Sequence, residues 1–196
     1  MGRRRWIVVV LAAATVGVTL ARVDARQKPR PQTAPETFSS PVQAKTGAGV
    51  TSAVLDIQID RYTPEADRKA MSDALTQGGY PGFMTALKIA PVVGTVSIGD
   101  QKFNLRWARE QSAAKGRTIS LVTDAPIYFV GGGRVDAKPR EGFQIAVVQL
   151  TVDEYGNGTG SMAAAARVKP DGKGGVILED YAEEPIALKS VYRKVK

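Results

Sequence analysis

Between Lys102 and Asp124 the chain reads KFNLRWAREQSAAKGRTISLVTD. This stretch limits the available folds more than any other. Phe103, Leu105 and Trp107 alternate with Lys102, Asn104 and Arg106, and Ile119 and Leu121 alternate with Thr118 and Ser120. A period of two marks a strand with one apolar and one polar face. The connection from Gln111 to Gly116 is short, polar and closed by glycine, so the spacing predicts an antiparallel hairpin. Placing Phe103, Leu105, Trp107, Ile119 and Leu121 on one sheet face would contribute roughly 1.5–3 kcal/mol per side chain.

The same logic extends in both directions. Leu55, Ile57 and Ile59 alternate with Asp56, Gln58 and Asp60, which predicts a half-buried strand over Val54 to Asp60. Thr63-Pro64-Glu65 then reads as a helix start, with Thr63 as cap and Pro64 in the first helical position. Ala66, Ala70, Met71, Ala74 and Leu75 form the stripe of that helix, and Gly78-Gly79 ends it. A second short helix is expected from Pro81 to Lys88. The helices would cover one face or plug one end of the sheet.

From Val92 onward strands and turns alternate. Val96 and Ile98 precede a Gly99-Asp100 turn. Ile127 to Val130 reads as an edge or bulged piece after Pro126, and Gly131 to Gly142 as a glycine-rich loop. Phe143 to Val152 is the most apolar segment of the folded part. Asp153 to Gly160 and Lys169 to Gly175 are turns on either side of a small-residue strand, Ser161 to Val168. Val176 to Glu179 and Ile186 to Val195 close the chain. The expected class is α+β: an antiparallel β meander, strongly curved or partly closed into a barrel, with one or two short helices after the first strand.

The 196 residues contain no cysteine and no histidine. That excludes disulfides, thiol nucleophiles, Cys/His zinc sites, Ser-His-Asp triads and histidine acid–base chemistry. The net charge of +8 would suit a nucleic-acid binder, but six of those charges fall within residues 1–50. A nucleic-acid-binding domain concentrates basic charge on its folded part, so no nucleic-acid partner is expected.

Residues 1–25 carry a basic start at Arg3 to Arg5, an apolar run from Trp6 to Leu20 and Val23-Asp24-Ala25. This is the layout of a secretory signal peptide cut after Ala25, with Ala21 as the lesser site. An uncleaved anchor is the alternative, and membrane contact is expected only through this segment in that case. Residues 26–50, rich in Pro, Gln, Ser and Thr, read as a disordered or extended tether. Residues 51–196 read as a single β-rich domain, exported to the periplasm or the outside of the cell.

Motifs that would carry chemistry are weak. Gly131-Gly132-Gly133-Arg134 lacks the Gly-Lys-Ser/Thr of a phosphate loop. Gly156-x-Gly158-x-Gly160 sits between strands rather than before a crossover helix. Asp153 with Asn157 has the wrong residues at later calcium-ligand positions. Glu179-Asp180 and Glu183-Glu184 read as a solvated acidic loop. Among Arg106, Arg109, Arg117 and Arg167, odd spacing puts Arg109 on the Phe103–Trp107 face, opposite Arg106. There Arg109 would receive a ligand carboxylate or phosphate, or pair with Asp124 or Glu110. The Ala163–Ala166 row leaves space for a helix or for a small apolar molecule. The candidate ligand contacts are Arg109, Trp107, Ala164 and Arg167. No catalytic residue, metal ligand or cofactor is assigned.

The order of motifs resembles a group of exported bacterial proteins of unknown function. The resemblance rests on the Thr63-Pro64-Glu65 helix ending at Gly78-Gly79 and on Leu105 to Arg109 with Trp107-Ala108. It also uses Ser120-Leu-Val-Thr-Asp124-x-Pro126, Tyr155-Gly-x-Gly158 and Pro185-x-x-Leu188, and it covers about residues 54–192. It implies no activity or cofactor. The expected function is therefore an exported non-enzymatic domain that binds a small apolar or amphipathic ligand inside a curved sheet. The alternative is a structural or protein-interaction module of the cell envelope with an envelope protein as partner. A carboxylate-based enzyme is the third reading.

Overall fold

The structure, a computed structural model, describes residues 34–46, 49–127, 141–173, 175–182 and 184–194. The leader expected over 1–25, all but Ile127 of the strand piece expected over Ile127 to Val130, and most of the glycine-rich loop expected over 131–142 lie outside these residues.

Two strands precede the helix: β1 (Glu36–Thr46) and β2 (Gly49–Ile59). The helix α1 spans Glu65–Ile89. Seven strands follow: β3 (Gly94–Ile98), β4 (Gln101–Ser112), β5 (Arg117–Thr123), β6 (Ile145–Val152), β7 (Gly158–Pro170), β8 (Val176–Tyr181) and β9 (Ile186–Lys194). Neighbours from β1 to β7 pair antiparallel in chain order. β9 then inserts between β7 and β1, with Met162 opposite Ile186 and Phe38 opposite Arg193. The ring closes as an eight-stranded barrel, while β8 attaches to the far half of β7, beyond the reach of β9. Closure removes the free edges that an open sheet would present.

The expectation of a tether over 26–50 fails at its C-terminal half. Residues 36–46 form β1, in register with β2 from Glu36 opposite Ile59 onward. Pairing and the burial of Phe38 and Val42 outweigh a polar composition. The helix accordingly follows the second strand.

Two apolar clusters divide the structure. One fills the barrel: Phe38, Leu55, Ile57, Ile59, Val96, Leu105, Ile119, Leu121, Val148, Leu150, Met162 and Leu188 are each at most 1 % exposed and belong to a single packed cluster. The other lies between α1 and the outside of β4 to β8, and includes Met71, Phe83, Leu87, Trp107, Ile145, Ala163 and Ala166. α1 thus covers one outer face. Ala66 and Ala70, expected in its stripe, are exposed, and the buried stripe is Met71, Leu75, Tyr80, Phe83, Met84 and Leu87. The break expected at Gly78-Gly79 is present, as a kink between two helical halves of α1. Gly79 takes φ +60, ψ −160, which kinks the element, and the turns expected from Pro81 form its second half.

The boundary between the clusters is set by a β-bulge. Register slips between Leu105 and Trp107, so that Leu105 opposes Thr123 and Trp107 opposes Val122. One extra residue reverses which side the following side chains face. Leu105 and Ala108 join the barrel interior, and Trp107 joins the helix-side cluster. The expectation that Trp107 shares a face with Phe103 and Leu105 is therefore corrected. The bulge also explains the start of the helix. The Ala108 N–H donates to Thr63 Oγ1 (2.9 Å), and the Thr63 N–H donates to the Ala108 carbonyl (2.9 Å). Thr63 closes the bulge rather than capping α1, which begins after Pro64 without a side-chain cap.

Gly94 marks where β2 and β3 approach most closely. A Cβ there would collide with the Gln58 carbonyl oxygen and come within 3.1 Å of Ile59 Cα. Both obstacles are main chain, so neither can swing away. Gly94→Ala should destabilise the fold by about 1–3 kcal/mol, as overpacking does. Urea unfolding checks this, and an unchanged midpoint would show that β2 and β3 are not in this register.

Candidate functional site

Five of the eight strand ends at one mouth of the barrel bring charged or phenolic groups together. β1 begins with Glu36, β5 begins with Arg117, β4 ends near Glu110, β9 ends near Arg193, and Tyr62 follows β2. In the ring of eight, β1 and β5 stand four strands apart in either direction, on opposite walls. Arg117 reaches across to Glu36 with both terminal nitrogens, Nη1 to Oε1 at 3.0 Å and Nη2 to Oε2 at 2.7 Å. The Tyr62 hydroxyl donates to Glu36 Oε1. Arg193 Nε stands 3.5 Å from Glu36 Oε2, and Glu110 Oε2 lies 3.2 Å from Arg117 Nη1. The Arg117 guanidinium also lies over the Phe38 ring, 5.8 Å from its centroid.

Burial makes this cluster energetically sensitive. The Glu36 side chain is 0 % exposed, and those of Arg117 and Glu110 are 11 % exposed. Burial alone would weaken the hold of Arg117 on its proton. The hydrogen bonds to Glu36 and the surrounding negative groups more than offset this and raise its pKa. Burial, together with the Glu36 carboxylate that accepts its proton, raises the Tyr62 phenol far above the usual range. Tyr62 is therefore a fixed donor.

Chemically, the arrangement is a carboxylate that accepts three hydrogen bonds, two from Arg117 and one from Tyr62, with the Arg193 guanidinium nearby. The Glu36 side chain is fully buried and committed to these partners, which makes it a structural anchor. The cluster is a bidentate ion pair that ties opposite walls of the barrel together. Beside it, on the outside, a cleft of about 500 Å³ is lined by Thr37, Gln58, Tyr155, Arg193 and Lys194 among others. Lys194 there pairs with Asp56 at 2.8 Å, which also accepts from Ser39. Burial would raise the Asp56 pKa, but these contacts lower it.

The four residues expected to contact a ligand do not meet in one cavity. Trp107 is fully buried between α1 and the barrel, with its Nε1 lacking an acceptor. Arg109, shifted outward by the bulge, pairs with Asp171 at 2.5 Å and donates to the Lys173 carbonyl at 3.5 Å. Its expected partners are taken elsewhere, Asp124 by Arg106 and Glu110 by Arg117. Arg106 and Arg109, expected on opposite faces, thus both make their ion pairs outside the barrel. Arg167 pairs with Glu179 at 3.2 Å and lies over the Tyr80 ring, whose phenol burial raises. Ala164 is half-buried, and its carbonyl accepts from Ile127 N–H. The space left by the alanine row is taken by α1, since Ala163 and Ala166 pack in the cluster of Phe83 and Leu87.

Sequence reasoning missed Glu36 because it falls in the stretch read as a tether. Arg117 was given no role, although it shares the period-two face of Ile119 and Leu121, which is the signal that could have found it. Among the described residues no group of three carboxylates is arranged to hold a metal ion, and no helix is long and apolar enough to cross a membrane. No model of a known protein family, no curated protein and no solved structure matches the chain.

Removing one partner of a buried ion pair leaves the other charged and unmatched, at a cost of about 3–5 kcal/mol. Glu36→Gln and Arg117→Gln should each destabilise the protein by about that amount. Because each removes the same interaction, the double variant should fall short of the sum by about 0.5–3 kcal/mol. Equilibrium unfolding of the four proteins checks this. Full additivity would show that the two side chains do not meet.

Proposed function

We propose that this chain is an exported, non-enzymatic structural or protein-interaction module of the cell envelope, whose barrel is a solid platform and whose function lies on its outer surface. The observation that carries this reading is the filled interior. Apolar side chains from every strand of the ring meet there at 0–2 % exposure, Met162 being the contribution of β7. Interiors packed to this extent are cores, whereas ligand sites are concave and open. Export rests on the layout of residues 1–25 and on the resemblance to exported bacterial proteins.

The outer wall is unevenly covered. α1 and the β7–β8 hairpin cover the outside of β4 to β7, and their buried residues mix with those of that arc. On the arc of β9, β1 and β2, Tyr192 (43 % exposed) and Val54 (51 % exposed) face outward. Tyr192 stands opposite Ser39, which stands opposite Asp56, so they form a row across three strands. An aromatic and an aliphatic side chain amid hydroxyl and charged groups is the composition of a protein-contact patch.

Two measurements test the reading together. Native mass spectrometry of the protein purified from an exporting host should give the bare chain mass. A photo-crosslinking residue at Tyr192 should capture an envelope protein in cells, and one at Ala70 on the helix should not. A stoichiometric copurified apolar molecule, or crosslinks equal at both positions, would contradict it.

A further inference from the structure

A second cleft, about 490 Å³, opens between the first three turns of α1 and the β7–β8 turn. Arg68, Lys69, Arg109 and Lys173 line it, with Glu65 and Asp73 on its helix side. The pairing within it is uneven. Lys69 is matched by Asp73 at 2.6 Å, and Arg109 by Asp171 at 2.5 Å. Asp171 has little left to offer, because its other oxygen accepts the N–H groups of Lys173 (2.7 Å) and Gly175 (2.8 Å). Burial would raise its pKa, but these bonds and Arg109 lower it.

Arg68 is the group left over. Its Nη1 donates to the Thr63 carbonyl at 3.0 Å, while its Nε is out of contact with water and has no hydrogen-bond partner. Among the described residues it forms no ion pair with any carboxylate. Burial, and then the neighbouring Arg109 guanidinium, lower its pKa, and the Glu65 and Asp171 carboxylates offset this only in part. Two guanidiniums thus line one cleft, and of the two only Arg109 makes a direct ion pair with a carboxylate. A half-buried cation with open donors beside a like charge is stabilised when an oxyanion bridges the two.

We propose that this cleft binds a small oxyanion, a phosphate or carboxylate group, held by Arg68 and Arg109 with Lys173 at its rim. The volume suits a small molecule rather than a chain segment. Arg68 keeps N–H groups beyond the one that bonds the Thr63 carbonyl, and a guanidinium can offer two such groups to two oxygens at once, which a chloride ion cannot use. The site stands on the outside of the barrel and is independent of the contact patch at Tyr192.

The test is a titration of the full folded chain at low ionic strength, followed by NMR. Inorganic phosphate and succinate are added separately, with sodium chloride at matched ionic strength as reference. The Arg68 Nε–H and Lys173 amide signals should shift saturably with phosphate, with succinate or with both, which identifies the preferred anion. Chloride should not reproduce the shifts. Arg68→Gln should weaken binding at least tenfold, and Lys102→Gln, a surface cation elsewhere, should leave it unchanged. The melting temperature should rise with the anion in the native protein and not in Arg68→Gln. Shifts that track ionic strength alone, or binding that survives Arg68→Gln, would overturn the site.

Discussion

A carboxylate removed from water has to be answered by charge and by hydrogen bonds, or it destabilises whatever encloses it. In this protein that carboxylate is Glu36, and the answer comes from three directions: β5, β9 and the segment leading into the helix. The first strand of the domain is thereby fixed to the wall opposite it. β1 contributes few large apolar side chains, Phe38 and Val42 being the buried ones. Its place in the ring depends on pairing with β2 and β9 and on this cross-barrel tie. A buried ion pair adds little net stability over an apolar filling, but it disfavours other registers, because any slip of β1 would strand a charge.

The bulge in β4 has the complementary role of dividing the chain between two cores. A strictly alternating β4 would send Trp107 into the barrel and Ala108 out. The extra residue instead gives the wide side chain to the helix interface and the small one to the crowded interior. It also frees the Ala108 N–H to bond Thr63 and so sets where α1 begins. On the facing side, Ala163 and Ala166 let α1 lie close to β7. The β7–β8 turn is then held over the helix by Ser72, which donates to the Gly175 carbonyl at 3.4 Å, and by the Arg109–Asp171 pair.

Much of this was legible because it is local. The β4–β5 hairpin, β3, β6 and the helix follow from period, turn residues and glycine placement, each within a short window. Barrel closure was half legible: a run of antiparallel strands suggests curvature, but the β9–β1 seam joins residues over 150 positions apart. β1 was illegible because its inward face, Glu36, Phe38, Ser40 and Val42, is half polar, and polar composition reads as tether. The bulge was illegible because KFNLRWAR satisfies strict alternation, and only packing decides where one residue is spare. That single slip moved Trp107 and Arg109 out of the interior in which a ligand was expected. The site residues therefore proved less legible than the strands that carry them.

Closure through β9 and β1 is the claim on which the filled interior, the buried Glu36 and the proposed outer-surface function all rest. Native-state amide hydrogen exchange tests it most directly. If the ring is closed, amides of β1 near Phe38 and of β9 near Tyr192 should be protected to within about 1–2 kcal/mol of those in β4 and β5, since all would open in one cooperative unit. If β1 and β9 exchange within minutes while β4 and β5 remain protected, the sheet is open at that seam and the account is wrong.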